Sequence, residues 1–137
     1  MTRSVRHEHA QVTLRVPFAA SSVAVARQHL KQWMAQQGCD LEVIEDGRIV
    51  ISEMVGNSVR HARPLPDGTL LVAWAPDDRG LRISVSDGGS PTRPHKVNAS
   101  SSALAGRGMA IIENLALTWW DERKSSRTTV NAVLDIS

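Results

Sequence analysis

The sequence predicts an α+β protein, a two-layer sandwich in which about three helices cover one face of a mixed, mostly antiparallel sheet. Two observations lead to this fold class. The predicted elements run strand, helix, helix, strand, strand, loop, helix, strand, strand, so the strands cluster in hairpins instead of alternating with helices. The 137 residues suit one compact domain and are too few for two ordinary ones.

The first half of the chain supplies one strand and two helices. Residues 11–16 alternate polar and apolar side chains, as a half-buried strand does. Apolar residues at helical spacing then predict a first helix, which ends at Gly38. A second helix is predicted over residues 41–62, and Pro64 stops it.

A hairpin follows the second helix. Residues 70–74 are apolar, residues 81–86 alternate cleanly, and a charged turn that contains glycine lies between them. The second strand of this hairpin runs directly into Asp87 and two glycines. Residues 90–105 are small, polar and basic, with too little apolar surface for firm packing, so a mobile loop is predicted there.

The last third of the chain completes the predicted sheet. A helix is expected from Gly106 to about Leu115, because apolar residues recur there at helical spacing. Residues 117–120 and 128–134 are predicted to form two final strands, joined by a charged turn over residues 121–127.

Composition narrows the class of protein. Hydrophobic residues make up 42% and charged residues 22%, as in soluble globular proteins, and the formal charge of +2 argues against direct nucleic-acid binding. Cys39 is the single cysteine, which excludes an intramolecular disulfide and a multi-cysteine zinc site. No apolar run approaches the ~18 residues of a membrane span, and residues 1–10 resemble a flexible tail more than a signal peptide. We therefore expect a soluble, cytoplasmic protein.

A polar stripe marks the second predicted helix. Glu53, Asn57 and His61 are spaced four residues apart and so lie one above the other on the helix surface. An Asn oxygen can ligate a hard cation such as Mg²⁺, while a Glu one turn away orients or deprotonates an attacking group. The alternative is a solvated helix face that carries these polar residues without a shared function.

Two glycine-containing motifs each allow two interpretations. Asp87 and Gly89 suit a plain turn, or a carboxylate that accepts a hydrogen bond from an exocyclic amine beside a glycine that lets a ring approach. The second motif consists of Gly106, Arg107 and Gly108. It suits a flexible break in the chain, or a helix N-terminus that offers N–H groups and a positive charge to phosphates. The second motif is not a Walker loop, because no Gly-Lys-Ser/Thr follows.

The combined order of the motifs resembles the Bergerat-type, histidine-kinase-like ATP-binding fold. ExxxNxxxH on a helix, DxG after a strand, a Ser-rich loop and GxG at a helix start occur in that order over almost the whole chain. That superfamily includes gyrase-type topoisomerases, sensor histidine kinases and anti-sigma-factor serine kinases. Residues 51–62 and the strand at residues 128–130 resemble most the stand-alone anti-sigma regulatory type.

The resemblance implies roles for the motif residues. Glu53 is implied as the catalytic carboxylate, and Asn57 as the ligand of a Mg²⁺ that bridges the ATP phosphates. Asp87 is implied to bind the adenine amino group with Gly89 beside the base, under an ATP lid formed by residues 90–105. The other implied cofactor-binding residues are Arg60, His61, Gly106, Arg107, Gly108, Met109 and Thr129.

The chain departs from the family pattern at two places. The Ser-rich segment is short and lacks a rich array of glycines, which leaves the geometry around the γ-phosphate open. Asn131 stands where an aromatic residue often follows the Thr-Val pair, so that end of the sheet is expected to differ.

The resemblance implies a regulatory kinase. A homodimer would hold a sigma factor inactive, and it would use ATP and Mg²⁺ to phosphorylate a serine of an anti-sigma factor antagonist of the STAS type. One alternative is a nucleotide-gated binding module that sequesters a regulator without phosphoryl transfer. A sensor histidine kinase fragment fits less well, because His7 lies in a polar tail without the dimerisation helix that a phosphoacceptor histidine needs.

Overall fold

The computed structural model of the chain describes residues 11–89 and 102–137, with the backbone alone described for residues 102–108. The described residues form three helices and five strands in the predicted order. In chain order they are β1 (Val12–Pro17), α1 (Ser22–Gln36), α2 (Leu41–His61), β2 (Thr69–Asp77), β3 (Gly80–Asp87), α3 (Ser102–Leu115), β4 (Thr118–Lys124) and β5 (Arg127–Leu134).

The five described strands form one sheet in the order β1-β2-β3-β5-β4. Each neighbouring pair in that order is antiparallel. The described sheet is therefore wholly antiparallel, whereas the sequence prediction allowed a mixed sheet. Strand β5 lies between β3 and β4, and the last hairpin therefore joins the sheet through its second strand. As a result β3 is central, and the Asp87 that ends it is flanked by strands on both sides.

One hydrophobic core lies between the helices and a single face of the sheet, which confirms the predicted α+β sandwich. The helices contribute buried residues such as Leu30, Val50 and Ile112, and these pack with Val72 and Ile83 of the central strands. Alternation along β3 buries every second side chain toward the helices and turns the others to the opposite face.

Helix α2 has the most buried face of the three helices in the described part of the chain. Val50, Ile51, Met54 and Val55 are fully or almost fully buried against the sheet and the neighbouring helices. Glu53 and other residues on the opposite side remain partly exposed. The predicted division of this helix into a core face and a polar stripe is therefore confirmed.

Two boundaries differ by four residues from the sequence prediction. Helix α3 begins at Ser102 and not at Gly106, because the stretch before the glycines contains serine, alanine and leucine, which suit a helix start. Strand β4 continues to Lys124, and the turn predicted over residues 121–127 is reduced to Ser125 and Ser126. Charged residues favour a turn in a sequence, but they also suit an edge strand such as β4.

Among the helices that the structure describes, none combines the length and the apolar character that crossing a membrane would require.

Candidate functional site

The second half of helix α2 and the end of strand β3 meet at a buried hydrogen bond. The hydroxyl of Ser58 donates to Oδ2 of Asp87 over 2.6 Å, and both residues are buried. Ser58 directly follows Asn57, which belongs to the polar stripe of α2. Two motifs that are separated by 29 residues in the sequence are therefore joined in one site.

Asp87 lies at the floor of this site. It is 4% exposed, and its second oxygen, Oδ1, accepts a hydrogen bond of 2.8 Å from the backbone N–H of Gly89. Burial raises the pKa of the Asp87 carboxyl group, while the hydrogen bonds from Ser58 and Gly89 act in the opposite direction. Gly89 has a φ of +93°, a conformation that glycine adopts readily and that allows its N–H to reach the carboxylate.

A pair of backbone hydrogen bonds fixes the segment after α2 to the end of β3. The N–H of Gly88 donates to the carbonyl of Arg63 over 2.7 Å, and the N–H of Arg63 donates to the carbonyl of Gly89 over 2.9 Å. A Cβ atom on Gly88 would collide with the backbone carbonyl of Pro64. Glycine at this position therefore permits the close approach of the two segments.

The polar edge of α2 lies beside this floor. Glu53 and Asn57 are partly exposed, and Arg60 and His61 at the end of the helix are exposed. Nη2 of Arg60 donates to Oδ1 of Asn57 over 3.4 Å, which is a long hydrogen bond. Because Ser58, the residue after Asn57, contacts Asp87, this part of α2 lies next to the end of β3.

The donor set at this edge suits a cation that is shared with a ligand. The described residues contain no group of three or more His, Cys, Asp or Glu side chains that could hold a metal ion. The amide oxygen of Asn57 is a hard ligand of the kind that Mg²⁺ accepts, and Mg²⁺ in proteins commonly takes further oxygens from phosphates and water. The residues present therefore fit a magnesium ion that arrives with a nucleotide.

Thr129 does not lie where the resemblance implied. In the register of β3 and β5, Thr128 pairs with Asp87, whereas Thr129 pairs with Ser86 on the opposite face of the sheet. The hydroxyl groups of Thr129 and Ser86 are 2.7 Å apart there. Because side chains alternate along a strand, Thr128 and not Thr129 has its side chain on the face of Asp87. The threonine beside Asp87 is therefore Thr128, whereas the resemblance implied Thr129.

Helix α3 packs against α2, and its start differs from the predicted one. Gly106, Arg107 and Gly108 lie one turn inside α3, so the N–H groups of the first turn belong to residues 102–105. Met109 is partly buried against the hydrophobic core. The side chains of residues 102–108 and all of residues 90–101, where the lid was predicted, lie outside the described structure.

Asn131, where the chain departs from the resemblance, is buried on the face of the sheet that points away from the helices. It is 4% exposed, and its Oδ1 accepts a hydrogen bond of 2.7 Å from the hydroxyl of Ser84. Its neighbours along β5, Val130 and Ala132, face the core instead. The departure therefore affects the outer face and leaves the Asp87 side unchanged.

Sequence reasoning missed Ser58 and Thr128. A serine one residue after Asn57 falls on the core side of the helix, and a buried serine needs a hydrogen-bond partner; that signal was present in the sequence. For Thr128 the sequence contains no comparable signal, since two adjacent threonines occupy opposite faces and only the register of the sheet distinguishes them.

Comparisons with known proteins show the family of the chain. The model of the histidine kinase-like ATPase domain matches residues 16–134. The serine-protein kinase RsbW of Listeria monocytogenes serotype 4a (strain HCC23) is 32% identical over 119 residues, which cover 78% of this chain and 76% of the relative.

Two solved structures share the fold. The RsbU and RsbW domains of Rv1364c from Mycobacterium tuberculosis superpose with a TM-score of 0.71 at 24% identity, over 92% of this chain and 32% of that one. A chain of the SiaB-SiaC complex from Pseudomonas aeruginosa superposes with a TM-score of 0.70 at 12% identity, over 97% of this chain and 95% of that one. This protein thus spans about a third of the mycobacterial chain, and at these identities the likeness concerns the fold. On the family match and the listerial relative, the chain belongs to the histidine kinase-like ATPase domain family.

Proposed function

We propose that the protein is an ATP-dependent serine-protein kinase that also acts as an anti-sigma factor. The observation that carries this proposal is the Ser58–Asp87 hydrogen bond, because it brings the Glu53 and Asn57 stripe and the buried Asp87 into one site. Support for the reaction class comes from the serine-protein kinases named RsbW, which align with 78% of the chain.

The base binds at the Asp87 end of the site. A carboxylate accepts hydrogen bonds only, and each of its oxygens has two lone pairs, so Asp87 can accept from an exocyclic amine while Ser58 and Gly89 donate to it. An amine at that position distinguishes adenine from guanine, which has a carbonyl oxygen in its place. The hydroxyl of Thr128 lies on the same face of the sheet and supplies a further polar contact.

The phosphates lie along the end of α2, toward the start of α3. Asn57 would hold Mg²⁺ through Oδ1, and the exposed Arg60 and His61 would offer positive charge or hydrogen bonds to phosphate oxygens. Arg107, with its flanking Gly106 and Gly108, would contact the phosphates from α3. Bound Mg²⁺ would neutralise charge on the phosphates, as in other phosphoryl-transfer sites.

Glu53 is the residue that we assign to the acceptor serine. It lies one helical turn before Asn57, so its carboxylate is beside the position of the terminal phosphate and remains partly exposed. From there it would orient the serine hydroxyl and take up its proton as that oxygen attacks the terminal phosphorus of ATP in line, and ADP would leave as its bond to that phosphorus breaks. Phosphoryl transfer needs mostly such positioning, together with charge stabilisation.

The proposed protein partners are a sigma factor, which the kinase holds inactive, and a STAS-type antagonist, which it phosphorylates on serine. We propose that the kinase works as a homodimer. These assignments rest on the resemblance of the motifs and on the names of the relatives.

Glu53→Gln tests the kinase assignment. The amide keeps the size of the side chain but cannot accept a proton, so phosphoserine formation on a STAS-domain antagonist of the same organism should fall roughly a hundredfold or more, with ATP affinity unchanged. Glu42→Gln, on the first turn of the same helix, is the matched control and should transfer phosphate normally.

The opposing outcomes are distinct. Equal phosphorylation by Glu53→Gln and the parent would remove Glu53 from the reaction. If the parent binds ATP and releases the sigma factor in response, but forms no phosphoserine, the protein is a nucleotide-gated binding module without phosphoryl transfer.

A further inference from the structure

We propose that Arg123 of strand β4 is a binding residue for the nucleotide base. This inference rests on the proposed function and adds a residue to its adenine end. No sequence motif contains Arg123, and it lies within the segment that the sequence predicts to be a turn. The structure instead places it in an edge strand, one strand beyond Thr128.

Three side chains form a row across the sheet on the face of the site. Asp87 pairs with Thr128, and Thr128 pairs with Arg123, in two adjacent antiparallel registers. Directly paired residues point to the same face, so Arg123 shares the face of Asp87. Strand spacing puts the two ends of the row roughly 10 Å apart, with only the small Thr128 side chain between them. A flat ring that is bound at Asp87 and lies along this row would reach Arg123.

The guanidinium of Arg123 is only weakly held. Its partner is Asp121, with Nη2 and Oδ2 at 3.4 Å and side chains that are 36% and 43% exposed. Surface pairs of this kind contribute little free energy, so a ligand can draw the guanidinium away at small cost. The charge of Arg123 also acts on Asp87, because it helps to lower the pKa of that carboxyl group against the effect of burial.

The chemistry of arginine suits a purine. A planar guanidinium can stack on the face of an aromatic ring or donate to its ring nitrogens, and a purine offers both features. At the adenine end these contacts complement Asp87, which accepts from the exocyclic amine at the opposite edge of the ring. Arg123 therefore adds affinity for the base and not for the phosphates.

Lys124 provides a matched control. It is the next residue of the same strand and carries the same charge, but it pairs with Arg127 and lies on the opposite face. There it lines a separate cavity of about 250 Å³ together with Glu122, Arg127 and Thr129. If positive charge has only a general effect on an anionic ligand, substitution of either residue would weaken ATP binding. If Arg123 contacts the base, only substitution of Arg123 would do so.

The experiment compares Arg123→Met and Lys124→Met in the full chain, since methionine keeps an unbranched apolar stem and removes the charge. Calorimetric titration with ATP and Mg²⁺ should show roughly tenfold weaker binding for Arg123→Met and parental binding for Lys124→Met. Displacement of ATP by inorganic tripolyphosphate, which has no base, should give the same tripolyphosphate affinity in both variants and the parent. Both variants should unfold at the temperature of the parent, because the exchanged side chains are partly exposed on an edge strand.

Two results would overturn the inference alone. In the first, Asp87→Asn weakens ATP binding, but the affinity of Arg123→Met for ATP equals that of Lys124→Met. In the second, Arg123→Met weakens tripolyphosphate as much as ATP, which would move Arg123 to the phosphate end. A parent protein that fails to bind ATP would instead overturn the proposed function, and this inference with it.

Discussion

At the scale of single residues, the buried carboxyl group of Asp87 links stability and binding to pH. Burial raises its pKa above the ordinary 3.8 in the folded protein, although Ser58 and Gly89 oppose the rise. Because the pKa of Asp87 is higher in the folded than in the unfolded protein, this group makes its full contribution to the free energy of unfolding below about pH 3.8. That contribution to stability is lost as the pH rises through the raised pKa. The hydrogen bonds from Ser58 and Gly89 favour the charged form of the carboxyl group and so limit the rise that burial causes.

Binding of ATP should show the opposite dependence on pH. The exocyclic amine of adenine needs the ionised carboxylate as its acceptor, so affinity should fall as the pH is lowered through the raised pKa of Asp87. A calorimetric pH series measures this dependence. Asp87→Asn should bind ATP more weakly at neutral pH and with a flatter pH profile, because the amide does not titrate.

Protonation of the nucleotide itself affects both proteins equally and cancels in the comparison. Parallel pH profiles for the parent and Asp87→Asn would show that this carboxyl group does not contact the base.

The residues of the site differ in how far the sequence could identify them. The positions of Glu53 and Asn57 on a helix and of Asp87 after a strand follow from local periodicity, whereas the roles proposed for them come from the resemblance to a known family. Thr128 depends instead on the pairing of β3 with β5, which is a contact between distant parts of the chain. Alternation leaves two choices at Thr128 and Thr129, and the strand register places Thr128, not the Thr129 that the resemblance implied, on the face of Asp87.

At the scale of elements, the connection between α2 and β3 depends on a glycine. A methyl group on Gly88 meets the carbonyl of Pro64, which is backbone and cannot rotate away as a side chain can. Gly88→Ala should therefore break the paired hydrogen bonds with Arg63 and lower the free energy of unfolding by about 1–3 kcal/mol. Urea unfolding measures this loss.

Gly56→Ala is the control for this substitution. Its added Cβ would lie 3.1 Å from Nη1 of Arg60, the mobile end of an exposed side chain that can move aside. Because alanine also favours a helix by up to about 1 kcal/mol, this variant should be as stable as the parent or more stable. A Gly88→Ala protein that is equally stable would show that the α2–β3 connection adapts without cost.

Element boundaries were predictable where a local stop signal exists and not elsewhere. Helix α2 ends at His61, close to the predicted boundary ahead of Pro64. The end of β4 has no such signal, since Asp121 and Arg123 are as compatible with a turn as with an exposed edge strand. The length of that strand follows from its pairing with β5, so Arg123 could not be placed from the sequence.

At the scale of the whole molecule, the sheet order is what assembles the site. Hairpins between neighbouring strands could be predicted from turn signals. The insertion of β5 between β3 and β4 pairs residues that are 41 to 53 positions apart, from Asp87 with Thr128 to Leu81 with Leu134, and it has no local signature. That insertion places Thr128 beside Asp87, and α2 crosses above them through Ser58. Nucleotide binding should therefore stabilise the entire domain and not one element.

This linkage gives a test of the magnesium position. At an ATP concentration of 100 times the Kd, binding should raise the free energy of unfolding by about 2.7 kcal/mol, which thermal unfolding detects as a higher Tm. In the parent the Tm shift with ATP should be larger when Mg²⁺ is present, because Asn57 and the phosphates share the ion. In Asn57→Ala the shift should be smaller and the same with or without Mg²⁺.

The control for Asn57→Ala is Glu42→Ala, at the other end of the same helix, which should keep the magnesium-dependent shift of the parent. Thermal unfolding without nucleotide measures the direct effect of each substitution on stability. This effect can then be separated from a loss of stabilisation by bound ATP. If Asn57→Ala retains the full magnesium dependence, the ion is held elsewhere. Helix α2 then contributes to the site through Glu53, or through Arg60 and His61 at its end.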